Sequence, residues 1–215
     1  MATKENEMTK VIVDIGCFNA RTLSLANKLL HRKKEKWFGL MVEPNAHMEK
    51  DIHKSLKGTD YVYDHCAISN VDEMGRLYFG KYGFFDRRSP AQKEKCMRSS
   101  LRNNEPFVRQ HLTDEYQQVP VKKLQTLFKN HNITHVDILK VDTEGNDTRI
   151  FSSYDWSVMP DEIITEDHVA VRGKTTSSYF DEQEKSRVQK YAILSSRGYA
   201  FQSAKECNSY WKRST

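Results

Sequence analysis

The feature that most constrains the fold is an alternation of short apolar runs with amphipathic stretches, in which most of the runs end on an acidic residue. Lys10-Val-Ile-Val-Asp14 is rich in β-branched residues and meets a glycine at Gly16. Such a run reads as a buried strand entering a turn. Trp37-Phe-Gly-Leu-Met-Val42 reads the same way and stops at Glu43-Pro44. Residues 61–68, 135–142 and 161–166 give three more strands, and residues 76–79 a short extra one. Helical spacing falls between them, over residues 20–32, 45–56 and 121–131. A short helix runs through Ile150 and Phe151, and Val188, Tyr191, Ala192 and Ser195 mark a late one. Residues 198–203 and 208–211 read as a terminal hairpin.

Strands alternating with helices predict an α/β fold with a mostly parallel sheet covered on both faces. Its 215 residues suit one domain. Residues 82–118 lack clean periodicity and read as a basic insertion. Eight basic and three acidic residues lie between Lys81 and His111, so this stretch carries a charge equal to the chain's net +5. That balance suits an anionic partner, or simply a solvated face.

Ligands of parallel sheets bind beyond the carboxyl ends of the strands, near the point where strand order reverses. That rule selects Asp14 and Gly16, Glu43 and Pro44, Cys66 and Ala67, Asp142 and Glu144, and Glu166 and His168. Four of these five ends carry a carboxylate, a group seldom buried unless it is paired or meets a ligand. Gly16 allows a tight turn, and Asn19 is a candidate N-cap for the helix that follows. Glu43 stands 27 residues after Gly16, where a carboxylate can accept both hydroxyls of a ribose. A dinucleotide fingerprint needs two further glycines, yet Cys17, Phe18, Asn19 and Ala20 follow Gly16. The pattern therefore favours an adenosine ligand without a pyrophosphate, such as S-adenosylmethionine.

With Val11-Ile-Val-Asp-Ile-Gly16, Gly39-Leu-Met-Val-Glu-Pro-Asn45, Ala67-Ile-Ser-Asn70, Val119-Pro-Val-Lys-Lys-Leu124 and Asp137-Ile-Leu-Lys-Val-Asp-Thr-Glu-Gly145 together, the chain resembles the FkbM family of S-adenosylmethionine-dependent methyltransferases. The last stretch matches the family's Lys-x-Asp-x-Glu-Gly signature. The family often has alanine where Cys17 stands and glycine where Ala20 stands. The resemblance implies a Rossmann-like class I fold: a central, mostly parallel seven-stranded sheet with helices on both faces and a C-terminal antiparallel hairpin. It also implies that Asp14, Gly16 and the backbone of Cys17, Phe18 and Asn19 hold the methionine end of the cofactor. Glu43, with Pro44 beside it, would hold the ribose, and Cys66 and Ala67 would flank the adenine. Lys140, Asp142 and Glu144 would lie on the transfer side.

Side-chain alternation places residues 140, 142 and 144 on one face while the strand persists. Methyl transfer from a sulfonium must align nucleophile, methyl carbon and sulfur, and must remove a hydroxyl proton. Asp142 is the first candidate for that proton, followed by Glu144, Glu166 and His168. Asp142, Glu166 and Asp167 also offer oxygen ligands to a divalent metal, although their spacing demands none.

A sugar or glycan hydroxyl is the acceptor that the resemblance implies. Tyr82, Phe84, Phe85 and Phe107 could stack on sugar rings, and the arginines could grip an acidic group. An RNA or protein methyltransferase using the basic stretch is a second reading. Asp142-Thr-Glu-Gly145 in place of an acid-proline-proline-aromatic motif makes nucleic acid the weaker acceptor. A nucleoside-binding module without catalysis is a third. No apolar stretch is long enough to span a bilayer, the N-terminus lacks a secretory core, and the four cysteines form no C-x-x-C pair. These features predict a cytoplasmic protein with free thiols.

Overall fold

The computed structural model describes residues 9–21, 24–80, 99–101, 112–143, 145–167, 178–205 and 207–214. In chain order the elements are β1 (Lys10–Ile15), α1 (Leu25–Leu30), β2 (Trp37–Val42), a 3-10 turn (Ala46–Met48), α2 (Glu49–Ser55), β3 (Tyr61–Asp64), β4 (Ala67–Ile68) and β5 (Glu73–Gly80). Then come β6 (Ser99–Ser100), β7 (Leu112–Lys122), α3 (Leu124–Asn130), β8 (Ile138–Val141), α4 (Asp147–Ser153), β9 (Glu162–Glu166), α5 (Ser178–Ser196), β10 (Tyr199–Lys205) and β11 (Asn208–Arg213).

Seven strands form the main sheet, in the order β10-β11-β9-β8-β1-β2-β3. β3, β2, β1, β8 and β9 pair in parallel, and β11 runs antiparallel to both of its neighbours. The expected mostly parallel seven-stranded sheet and terminal hairpin are both present. Alternation along each strand sorts the core into two layers. Val13, Ile15, Leu40, Val42, Leu139 and Val141 face one way, against Leu127, Phe128, Ile150, Phe151 and Leu194 of α3, α4 and α5. Ile12 and Met41 face the other way, against Ala26, Leu29, Ile52 and the neighbouring Leu56 of the α1–α2 layer. Burying a side chain of this size contributes about 1.5–3 kcal/mol, so the two layers fix the sheet firmly. No helix among the described residues is long and apolar enough to cross a membrane.

The second sheet is smaller, in the order β4-β7-β5-β6. Its apolar face gathers Ala67, Leu77, Val119 and Val121. This sheet accounts for most departures from the sequence expectations. Residues 61–68 do not form one strand: β3 ends at Asp64, and Ala67–Ile68 crosses to pair with β7. The aperiodic stretch is shorter than residues 82–118, because Leu112 already begins the eleven-residue β7. The helix expected from Val121 starts at Leu124, since Val121 and Lys122 still pair with β4. Exposed polar side chains along β7 (Asp114, Glu115, Gln118) mask its alternation. The remaining basic residues of the expected insertion lie outside the described residues.

Strand register sets the functional edge. Ile15 is level with Val42 on one side and Val141 on the other. Gly16, Glu43 and Asp142 therefore emerge side by side from the carboxyl edge. The chain leaves β1 towards β2 and later returns on the opposite side as β8, so the reversal of strand order falls between β1 and β8. Gly16 has φ 75, and a Cβ there would lie 1.9 Å from the Asp142 carbonyl oxygen. Only glycine tolerates both conditions. Gly16→Ala is expected to destabilise the protein by at least about 2 kcal/mol, read from urea unfolding. A loss below about 0.5 kcal/mol would show that the two strand ends part easily.

Candidate active site

The loop after β1 is held from beneath. The N–H groups of Gly16 and Cys17 both donate to the Val42 carbonyl, at 2.9 and 3.1 Å. They extend the β1–β2 pairing by one turn and do not point at open space. Phe18 and Ala20 both have left-handed backbone, with φ 50 and 45. Each costs a non-glycine residue about 1–3 kcal/mol. The φ at Ala20 explains why glycine suits that position. Asn19 does not cap α1. Its Oδ1 accepts from the Arg21 N–H at 3.2 Å, and Ser24 is the N-cap, accepting from the Asn27 N–H. A helix beginning at Leu25 places its first turn too far along the chain for Asn19 to reach.

The Glu43 carboxylate is buried and anchored. Its Oε2 accepts from the Phe18 N–H and its Oε1 from the Asn45 N–H, each at 2.9 Å. Each oxygen keeps a lone pair for a further donor. Burial pushes its pKa up to about 7, against the two N–H groups that favour the charge, with Asp14 and Asp142 adding repulsion.

Asp14, Lys140 and Asp142 form a charged set on the α1–α2 face, as alternation requires. Lys140 Nζ lies 3.3 Å from Asp14 Oδ1 and 3.3 Å from Asp142 Oδ2. Burial acts to lower the Lys140 pKa, but the two carboxylates outweigh it and keep the ammonium charged. Asp14 is fully buried, and burial raises its pKa despite Lys140. Its Oδ2 has no hydrogen-bond partner, which is unusual for a buried carboxylate. Asp142 stands on the rim, with 34% of its side chain exposed.

The other expected residues are spread along the same edge. Cys66 and Ala67 are buried behind the β3 end. Burial pushes the Cys66 thiol up, and Asp64 beside it is gripped by Lys122 Nζ at 2.7 Å and His131 Nε2 at 2.7 Å. Glu166 ends β9, one strand beyond β8. Glu144 and His168 lie outside the described residues. Asp142, Glu166 and Asp167 do not draw their ligand atoms into one group.

One network escaped the sequence reading. Asp147 Oδ1 accepts from the Thr143 N–H and hydroxyl, and Oδ2 accepts from the Thr165 hydroxyl at 2.5 Å. Lys190 of α5 lies 3.5 Å from the same Oδ2 and donates to the Glu166 carbonyl. The set fastens the loop after Asp142 to the end of β9. An acid in the first turn of α4 was the one available signal; nothing in the sequence marked Lys190.

A grouping of His135, Asp137 and Asp161 occurs at the opposite, amino edge of the sheet. A groove of about 870 Å³ opens there beside Lys10, Glu35 and His135. The two carboxylates of the grouping are already engaged: Asp137 accepts from the Val11 N–H at 2.7 Å, and Asp161 from Arg213 at 2.5 Å. These bonds tie the start of β8 to that of β1 and the start of β9 to the end of β11, far from the charged carboxyl edge.

Comparison with known proteins completes the assignment. A Staphylococcus aureus structure provisionally designated a caffeoyl-CoA O-methyltransferase superposes with a TM-score of 0.52 at 11% identity, covering 95% of this chain and 76% of that one. A Thermoplasma acidophilum structure provisionally designated a methyltransferase gives a TM-score of 0.38 at 9% identity, with 97% and 69% covered. The O-methyltransferase NovP gives 0.37 at 12% identity, with 98% and 74% covered. A search of curated sequences returned no match. The fold is that of a Rossmann-like class I methyltransferase. The sequence profile of the Methyltransferase FkbM domain matches residues 14–199. The chain therefore belongs to the FkbM methyltransferases, a family that uses S-adenosylmethionine.

The charged set makes a stability prediction. A carboxyl whose folded pKa is raised contributes stability that is present below its unfolded pKa and lost as pH rises through the folded one. Asp14 is such a group, and Lys140 offsets its burial. Lys140→Met is expected to cost about 3 kcal/mol at pH 8 and clearly less at pH 5, measured by urea unfolding. An equal cost at both values would mean that Asp14 is uncharged in the native protein.

Proposed function

We propose that the protein is an O-methyltransferase that carries methyl groups to a hydroxyl of a sugar or glycan. In this reading Glu43 grips the ribose, Asp14 and the Gly16–Asn19 loop face the methionine end, Cys66 and Ala67 flank the adenine, and Asp142 meets the acceptor. The observation that carries it is the unpartnered Oδ2 of Asp14, buried on the same edge as Glu43. A buried carboxylate oxygen without a donor suits an arriving ammonium. The free lone pairs of Glu43 suit two ribose hydroxyls. S-adenosylmethionine supplies a methyl group on a sulfonium.

The acceptor hydroxyl forms a bond to that methyl carbon as the carbon–sulfur bond breaks, and its proton must leave. Asp142, about one-third open to solvent beside Lys140, can take that proton and orient the oxygen. The sugar acceptor rests on family resemblance, and the basic residues that would grip an acidic glycan lie outside the described residues. Cys17, Cys66 and Cys207 carry free thiols, which suits work in the cytoplasm.

Cofactor binding gives the first test. Hydroxyl donors favour ionised Glu43, so binding releases the proton held at a pKa of about 7. S-adenosylhomocysteine affinity is expected to rise about tenfold between pH 6 and pH 8 by calorimetry, and to lose that dependence in Glu43→Gln. No binding by the wild type would overturn the assignment of this edge.

The acceptor gives the second test. With labelled cofactor, sugars and glycans are expected to be methylated in preference to RNA or protein. With the best acceptor, Asp142→Asn is expected to lower kcat about 100-fold while cofactor affinity changes less than threefold. Preferential labelling of RNA or protein would replace the sugar reading.

A further inference from the structure

We infer that Gln117, a residue of the second sheet, is a positioning residue for the cofactor-side carboxylate Glu43; the inference rests on the function proposed above. Residues 117, 119 and 121 share one face of β7. Val119 and Val121 are buried there with Leu77 and Ala67, and Leu77 is the register partner of Gln117. A polar side chain thus ends an apolar row. It is directed out of its own sheet: Gln117 Nε2 donates to the Pro44 carbonyl.

That carbonyl lies beyond the end of β2 at Val42, where strand pairing no longer holds the backbone. Side chains hold it instead. His65 Nε2 sits 2.9 Å from the same oxygen, and the Tyr63 hydroxyl donates to the Glu43 carbonyl at 3.0 Å. On the inner side, the Asn45 N–H returns to Glu43 Oε1. The Glu43-Pro44-Asn45 segment is therefore pinned from outside by Tyr63, His65 and Gln117, while its carboxylate faces the cofactor edge. Tyr63 and His65 belong to the neighbouring strand and its exit. Gln117 comes from another sheet.

The same sheet has two further ties to this edge. Lys122, at the end of β7, grips Asp64, and Asn146 Nδ2 donates to the Ile68 carbonyl at 2.8 Å. Gln117 is the tie that reaches the Glu43 segment. It makes the second sheet part of the frame that sets the height and tilt of the ribose grip.

A double-mutant cycle with S-adenosylhomocysteine as the probe tests this. Gln117→Met removes the donor and keeps the volume. It is expected to weaken binding about fivefold, the usual worth of one hydrogen bond. Gln117→Lys, which restores a donor of similar reach, is expected to recover most of the loss. In a Glu43→Ala background, Gln117→Met is expected to change affinity less than twofold. Circular dichroism and thermal melting establish that each variant is folded. Unchanged affinity in Gln117→Met, or the same penalty with and without Glu43, would overturn the inference and leave the proposed function standing. Absence of wild-type binding would overturn both.

Discussion

Lys140 is clasped between Asp14 and Asp142 where β1 and β8 part, and the rest of the site depends on that ion set. Three charges share a space whose walls are the apolar α1–α2 layer. Removing Lys140 leaves the buried Asp14 carboxylate without its counterpart, which costs far more than an exposed pair would gain. The arrangement therefore serves geometry more than stability. It holds the two central strand ends at a fixed separation, and Gly16 lets their backbones touch across it. Glu43 is brought to the same edge by register, because β2 is level with β1.

Much of this was legible in the sequence for simple reasons. β-branched runs that stop on Asp14, Glu43 and Asp142 mark strand ends, and the alternation of side chains already places Lys140 and Asp142 on one face. Local periodicity carries such information. It failed where an element's state is decided by distant partners. Ala67 and Ile68 look like the tail of β3, yet they pair with Val121 and Lys122. Asn19 looks like a cap, but the chain takes two left-handed turns at Phe18 and Ala20 before any helix begins. The Asp147–Thr165–Lys190 network joins residues from three elements, and each alone reads as an ordinary polar residue.

The second sheet changes how the edge is understood. A cofactor pocket drawn from the main sheet alone would stop at β3. Here the backbone after Glu43 is held by Tyr63 and His65 near β3 and by Gln117 of β7, while Lys122 and Ile68 bind the same sheet to Asp64 and Asn146. The stretch between β5 and β7, rich in lysine and arginine, begins and ends on strands fixed to this frame. The charged edge of the main sheet and the strands that flank the basic stretch are thus joined in one scaffold.

The central place of β1 also bears on how the protein is made. β1 emerges from the ribosome well before β8, yet it sits between β2 and β8, and the Val11 N–H donates to Asp137, 126 residues later. At a synthesis rate of about 5–20 residues per second, one edge of a strongly apolar strand waits on the order of ten seconds for its partner. An open edge of that kind invites pairing with the wrong chain. Asp14 and Lys10 place charges near both ends of this strand, and a nascent chain would carry them as its own protection until β8 arrives.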